Sequence, residues 1–169
     1  MKIRSSEEIE NQLEAMGLVV RDSPLPAGNY SPYVINGEIL YISGQLSYDA
    51  GSGELLTGKV GDDVTLEAGQ KAARGAAFET IMRAREATRG ADQQNLKIKG
   101  LIYVVGFVNT DPHFERIETV VLSALEFLAT TLSSDPVTSD FGIVNAAIGC
   151  ASLPKNATVE LSAHFLLGT

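Results

Sequence analysis

Glu160 is the acidic side chain best placed to do chemistry near the C-terminal end of the sequence. Residues 157–165 alternate between apolar and polar types, which predicts a β-strand whose polar face carries Thr158, Glu160, Ser162 and His164. A carboxyl group on such a face can act as a general acid or base beside a reacting group. It can also be a solvated surface charge, and the residues by themselves favour that second interpretation.

The other residues give little support for metal binding or nucleotide binding. His113 and His164 lie far apart in the chain, with no cysteine or acidic residue at ligand spacing around them. Cys150 is the single cysteine, and an unreactive buried thiol is the favoured interpretation because nothing pairs it with a histidine. The glycines between positions 51 and 61 are not followed by Gly-Lys-Ser/Thr and predict no phosphate loop. These residues therefore predict neither a metal site nor a phosphate loop.

The composition is that of an ordinary single-domain globular protein, with 169 residues, 44% hydrophobic and 20% charged, and a formal net charge of −8. A negative field of this kind repels phosphates, so nucleic acid is disfavoured as a partner. The densest basic stretch comprises Arg83, Arg85 and Arg89. It is interleaved with Glu79 and Glu86, and we interpret it as the solvated face of a helix.

The cysteine usage and the N-terminal residues predict a cytoplasmic protein. One cysteine cannot form an intrachain disulfide. The first residues are acidic and contain no apolar segment of the secretory type. The longest apolar stretches, such as Leu101–Val108, are too short to span a membrane, so no membrane association is expected.

The first half of the chain predicts a helix, an extended arm and a hairpin. Ser6 is the expected N-cap of a short amphipathic helix that ends at Gly17, and residues 18–30 form an extended arm. Apolar runs on either side of Asn36-Gly37 predict a β-hairpin with a two-residue type I′ turn. We divide the chain into an N-terminal helix with its arm, residues 1–30, and a domain of residues 31–169.

The second half predicts two long helices and three strands. A helix over 65–88 has small residues on its inner stripe, and a buried strand follows over 98–108. Asp111 is the expected cap of the next helix, and strands over about 142–149 and 157–167 close the chain. This order predicts an α+β two-layer sandwich, with both long helices on one face of a mixed β-sheet. We expect another copy of the chain to cover the opposite face.

Several short motifs, in this order and at this spacing, resemble the reactive-intermediate deaminase (Rid) family, which includes the RidA/YjgF proteins and carries the older label endoribonuclease L-PSP. The likeness runs from about Pro32 to Leu167, and the N-terminal extension resembles the longer branch of the family. The matching residues are Ser31-Pro32-Tyr33-Val34, Ile42-Ser43-Gly44-Gln45-Leu46, Gly106-Phe107-Val108-Asn109, the block from Asn145 to Pro154, and Val159-Glu160-Leu161.

The resemblance implies a chorismate-mutase-like fold and a homotrimer around a barrel-like core of sheets. It also implies three clefts for a small metabolite, one at each subunit interface. Family members with the archetypal hydrolase activity are deaminases that convert reactive enamines and imines of amino acids into a keto acid and ammonia. They need no metal and no organic cofactor.

The resemblance also implies roles for individual residues. Glu160 matches the catalytic glutamate, which would place a water molecule and move a proton. Asn145 stands where the archetype has the arginine that binds the substrate carboxylate. The other positions that match the substrate-binding cleft are Tyr33, Ser43, Gly44, Phe107 and Ala147. Ordinary packing is an equal interpretation for Tyr33 and the favoured one for Phe107.

Asn145 is the main departure from the family pattern, because an amide carries no charge and cannot replace the planar fork of a guanidinium. The loss of a charge-assisted contact costs about 1.5–3 kcal/mol, which is roughly tenfold to a hundredfold in affinity for a carboxylate. We therefore expect weak activity on standard 2-imino acids, unless another arginine, such as Arg116, compensates.

Two functions remain open from the sequence. One is a hydrolytic deaminase with Glu160 as the general acid and base, which the presence of Glu160 favours. The other is a non-catalytic trimer that binds a small ligand or a partner, which Asn145 favours. Ribonuclease activity is disfavoured by the acidic charge and by the lack of a histidine pair or a carboxylate–metal cluster.

Overall fold

The computed structural model describes residues 4–26, 28–89, 96–132 and 144–169, and this part of the chain forms three α-helices and one mixed sheet of five strands. The predicted α+β class is thereby confirmed. The sheet order is β1-β2-β5-β3-β4, and β3 and β4 are the parallel pair. The elements are α1 (Ser6–Ala15), β1 (Tyr33–Asn36), β2 (Ile39–Leu46), α2 (Leu66–Arg89), β3 (Lys97–Asn109), α3 (Ile117–Leu132), β4 (Val144–Cys150) and β5 (Val159–Gly168).

Helices α2 and α3 pack side by side on one face of the sheet, as the sequence predicts. Strand β5 alternates strictly in burial, and its helix-facing residues, from Val159 to Leu167, belong to the main hydrophobic core. Glycines allow the layers to approach closely. A Cβ added at Gly106 would overlap Val121 of α3, and one added at Gly75 would overlap the backbone of Tyr48. The other face of the sheet, which we call the open face, has no helix packed on it among the described elements.

Two local details differ from the sequence prediction. The N-cap of α1 is Ser5 and not Ser6, because Ser5 and Glu8 form a reciprocal capping box. The hairpin exists, but its two-residue turn is Gly37-Glu38, with Gly37 at φ +60° and Asn36 still paired with Ile39. A glycine first in the turn is the pattern of type II′, so one positive φ suffices where type I′ needs two.

The start of α3 also differs from the sequence prediction. Asp111 does not cap α3, which begins six residues later, at Ile117; its carboxylate instead accepts a hydrogen bond from the backbone N–H of His113 in a turn. The two closing strands, β4 and β5, are not neighbours in the sheet, because β3 lies between them. The first two residues of the predicted strand 142–149 lie outside the described residues.

The N-terminal extension, which consists of α1 and the arm that follows it, packs over the helix layer. Ile9 and Leu13 of α1 are fully buried against α2 and α3. On its polar side, Glu10 binds Arg85 and Arg89 of α2, and Arg21 of the arm binds Glu79. The prediction that these α2 residues form a solvated face is therefore wrong for Glu79, Arg83 and Arg85, because the extension covers them. Among the described residues, no helix has the length and apolar character required to cross a membrane.

Candidate functional site

The Glu160 side chain lies on the open face of the sheet, half-buried among its neighbours. It stands opposite Leu46 on β2 and Phe107 on β3. The carboxylate lies directly over Gly44, so that a Cβ at position 44 would overlap Oε1. Burial raises the pKa of Glu160 above its ordinary value, and no described residue forms an ion pair with it. A carboxyl group with a raised pKa can both donate and accept a proton closer to neutral pH.

An irregularity in β2 creates the space that Glu160 occupies. The register between β2 and β5 shifts between Ile42 and Gln45, which leaves Ser43 and Gly44 unpaired with β5. The Ser43 hydroxyl donates to the carbonyl of Ser31 at 2.7 Å. The side-chain amide of Gln45 donates to the carbonyls of Ser43 and Gly44, at 2.9 and 3.1 Å. Glycine is required at position 44 because the Glu160 side chain approaches it closely, and not because of a positive φ.

The irregular segment of β2 is also held in place by hydrogen bonds from the helix side of the sheet. Arg83 of α2 donates from Nε to Oε1 of Gln45 at 3.3 Å, and its Nη1 donates to Glu86 at 2.7 Å. Its Nη2 donates to the carbonyl of Pro24 in the arm. The α2 helix and the arm thereby fix the Gln45 amide, and the amide fixes the two carbonyls beneath Glu160.

Cys150 is close enough to Glu160 to interact with it electrostatically, which the sequence did not indicate. Its thiol is half-buried and free, and both burial and the nearby Glu160 carboxylate raise its pKa. Ile148, two residues before it on β4, stands opposite Phe107. The available signal was the period of two along β4, which puts positions 148 and 150 on one face.

Three of the predicted site residues lie elsewhere in this chain. Tyr33 pairs with Ile42, Asn145 with Val104, and Ala147 with Gly106, and all three partners face the helix layer. Paired residues share a face of the sheet, so these three positions are on the side opposite Glu160. Asn145 and Glu160 therefore do not share a pocket within a single copy, and a pocket that a second copy completes stays a prediction. Strand β3 separates β4, which carries Asn145, from β5, which carries Glu160, and the two residues lie on opposite faces of the sheet.

Tyr33 faces α2 on the helix side of the sheet, and compensation by Arg116 for the family arginine stays a prediction. Burial and the negative charge of Glu86 raise the pKa of the Tyr33 hydroxyl, while Arg83 opposes the shift. Arg116 is exposed just before α3 and forms no ion pair with a described residue. In the described ranges, no group of three or more His, Cys, Asp or Glu side chains is arranged to hold a metal ion.

Comparison with known proteins gives two relatives by sequence, although no protein-family model matches the chain. The chain is 30% identical over 139 residues to a 2-iminobutanoate/2-iminopropanoate deaminase of Dermatophagoides farinae, which covers 82% of this chain and 86% of the relative. It is also 30% identical over 168 residues to protein TCP17 of Trypanosoma cruzi, with 96% of each chain covered.

Solved structures share the fold. A protein of unknown function from Agrobacterium tumefaciens is 34% identical, with a TM-score of 0.77 and coverage of 97% of this chain and 96% of that one. RidA from an Antarctic Psychrobacter has a TM-score of 0.52 at 22% identity, with coverage of 88% and 97%. The second likeness shows the fold alone.

Replacing Gly44 by alanine tests whether burial sets the pKa of Glu160. The added methyl group must displace the end of the Glu160 side chain towards solvent, and we expect the pKa of Glu160 to fall towards its ordinary value. Carbon-13 NMR titration of the glutamate carboxyl groups measures this shift. Gly51→Ala is the matched control, because a Cβ there meets nothing closer than ordinary contact distance. An unchanged pKa in Gly44→Ala would contradict the assignment.

Proposed function

The chain belongs to the reactive-intermediate deaminase family, and on that premise we propose that it hydrolyses the carbon–nitrogen bond of an imine or enamine. The observation that carries the proposal is the Glu160 carboxyl group, half-buried over Gly44 and with a pKa raised by burial. The relative from Dermatophagoides farinae, which is named as a deaminase of 2-iminobutanoate and 2-iminopropanoate, supports the reaction class.

Glu160 supplies the proton movements that this reaction needs. Its carboxyl form donates a proton to the imine nitrogen, and the resulting carboxylate takes a proton from a water molecule as the water oxygen bonds to the imine carbon. In the tetrahedral product, the proton on Glu160 passes to nitrogen, the carbon–nitrogen bond breaks, and the hydroxyl proton returns to Glu160. The sum is imine plus water giving ketone plus ammonia, with Glu160 regenerated.

A second copy of the chain completes the site in this proposal. Asn145 and Glu160 are on opposite faces of one sheet, so a pocket containing both must combine two copies. The open face supports such an assembly because it carries a row of large side chains across four strands: Val34, Tyr41, His164 and Tyr103. Val34 is 56% exposed in the single chain, and His164 contacts both tyrosine rings. A homotrimer is the assembly that we propose.

The proposed substrate carries a neutral or amide group where standard substrates have a carboxylate. Asn145 offers amide hydrogen bonds without a charge, and no described cation is paired with Glu160. The same features favour a second candidate function, in which the cleft binds a metabolite without converting it. In the first function, Glu160 is required for turnover. In the second, the protein binds the metabolite and no turnover occurs.

Replacing Glu160 by glutamine separates the two functions. We expect turnover of an imine such as 2-iminopropanamide, generated freshly in the assay, to fall by roughly a hundredfold or more because the proton donor is lost. Ammonia release measures the rate, and Glu54→Gln, an exposed site, is the matched control. If the wild-type protein converts no imine but is stabilised by a metabolite in thermal-shift screening, the binding function replaces the enzyme.

The same variant has an expected pH signature in stability. Burial raises the pKa of Glu160 in the folded state above its value in the unfolded state. The contribution of the protonated carboxyl group to folding stability is therefore complete below the unfolded-state pKa and is lost as the pH rises through the folded-state pKa. Glutamine stays neutral and suffers no such loss. The Tm of Glu160→Gln relative to wild type should therefore rise with pH.

Replacing Asn145 by arginine tests the substrate class. We expect kcat/KM for 2-iminopropanoate to rise by about tenfold to a hundredfold, because a guanidinium can bind the substrate carboxylate. Asn145 is exposed, so the longer side chain should be accommodated. Asn145→Gln is the control, since it lengthens the amide without adding charge. Equal kinetics in the two variants would remove Asn145 from the substrate site.

A charge on the open face tests the assembly. Light scattering of the wild-type protein should give three times the chain mass, and Val34→Glu should lower it because the carboxylate would be buried between copies. Val19→Glu, at a site 67% exposed in the N-terminal arm, is the matched control and should leave the mass unchanged. A wild-type monomer would contradict the shared site.

A further inference from the structure

The N-terminal arm and α2 enclose a cleft that the proposed reaction does not use. Its volume is about 450 Å³, which is within the usual range for small-ligand sites. Tyr33 lies in its wall and faces the helix layer, so the sheet separates the cleft from Glu160. We call it the arginine cleft, because its lining includes Arg21, Arg83, Arg85 and Arg89.

Arg85 and Arg89 keep terminal guanidinium nitrogens that form no hydrogen bond with a described residue. All three nitrogens of Arg83 are engaged, and Arg21 binds Glu79 and the carbonyl of Asp22. Arg85 uses only its Nε, and Arg89 only its Nη1, and both bind the same oxygen of Glu10. Two guanidinium groups therefore share one carboxylate oxygen, and both terminal nitrogens of Arg85 lack a hydrogen bond to any described residue.

Buried polar atoms without partners point to the same place. Arg21 Nε and Ser23 Oγ belong to the wall of the cleft and have no hydrogen-bond partner in the described part of the chain. Buried polar atoms without partners are unfavourable, so they indicate a site that takes up polar groups.

We propose that the arginine cleft binds a small oxyanion, a carboxylate or phosphate with a short apolar body, and that Arg85 and Arg89 hold the anionic group. A planar guanidinium fork matches both kinds of oxyanion. Leu25 and Met82 supply apolar wall for the body of the ligand. The acidic residues of the lining are Asp22 and Glu86, and Glu86 is already neutralised by Arg83.

NMR titration with phenylacetate, phenyl phosphate and inorganic phosphate tests the site. We expect the two aromatic anions to shift the signals of Tyr33, Arg85 and Arg89, and 2-phenylethanol, the uncharged probe, to shift none. The tighter of the two aromatic anions identifies the oxyanion that the cleft prefers. Glu160→Gln should bind the probes as the wild type does, which separates this site from the proposed active site.

Paired variants distinguish anion binding from a structural effect of the extension. Arg85→Gln and Glu10→Gln both break the ion pair between α1 and α2. We expect Arg85→Gln to weaken binding at least roughly tenfold, as for the loss of a charged hydrogen bond. Glu10→Gln should keep or tighten binding, since it frees both arginines. Arg74→Gln, an exposed arginine of the same helix outside the cleft, should have no effect.

Three results would overturn the proposal. The first is equal weakening in Arg85→Gln and Glu10→Gln, which would assign both effects to a loosened α1. The second is a set of shifts centred on Phe107 and Glu160 in place of the cleft. The third is the absence of shifts with every anion in the folded wild-type protein.

Discussion

Strand β5 is the constraint on which the structure depends. It pairs with β2 on one side and β3 on the other, and alternate residues enter the helix-packed core or stand on the open face. A shift of one residue in its register would bury Glu160 and His164 among apolar side chains and expose Leu161 and Phe165. The apolar half of β5 therefore fixes, through packing, the direction in which the polar half can point.

The sequence predicted the elements well because their signals are local. The capping box of α1, the small residues of α2 and the alternation of β5 each depend on residues close together in the chain. The errors in detail also have local causes, because neighbouring residues compete for the same turn or cap position. Position 37 takes a type II′ turn because one glycine meets its single positive φ, and Asp111 serves a turn before α3 starts.

What the sequence could not give was the set of contacts between distant segments. Nothing in the spacing of the strands requires β3 to lie between β4 and β5, so the separation of Asn145 from Glu160 was not predictable. The same limit explains the arginines of α2. Their alternation with acids is typical of a solvated face, and only the folded N-terminal extension shows that Arg83 and Arg85 are covered. The electrostatic effect of Glu160 on Cys150 also depends on the sheet order.

The ion pairs between the N-terminal extension and α2 have a consequence for how such sequences diverge. Without the extension, the buried Glu79 and the guanidinium groups of Arg83 and Arg85 would lose their partners at Arg21, Pro24 and Glu10. The N-terminal extension and these polar residues of α2 therefore depend on each other for their ion pairs and hydrogen bonds. Deletion of the one removes the selection that maintains the other, so the two should be gained and lost together in evolution.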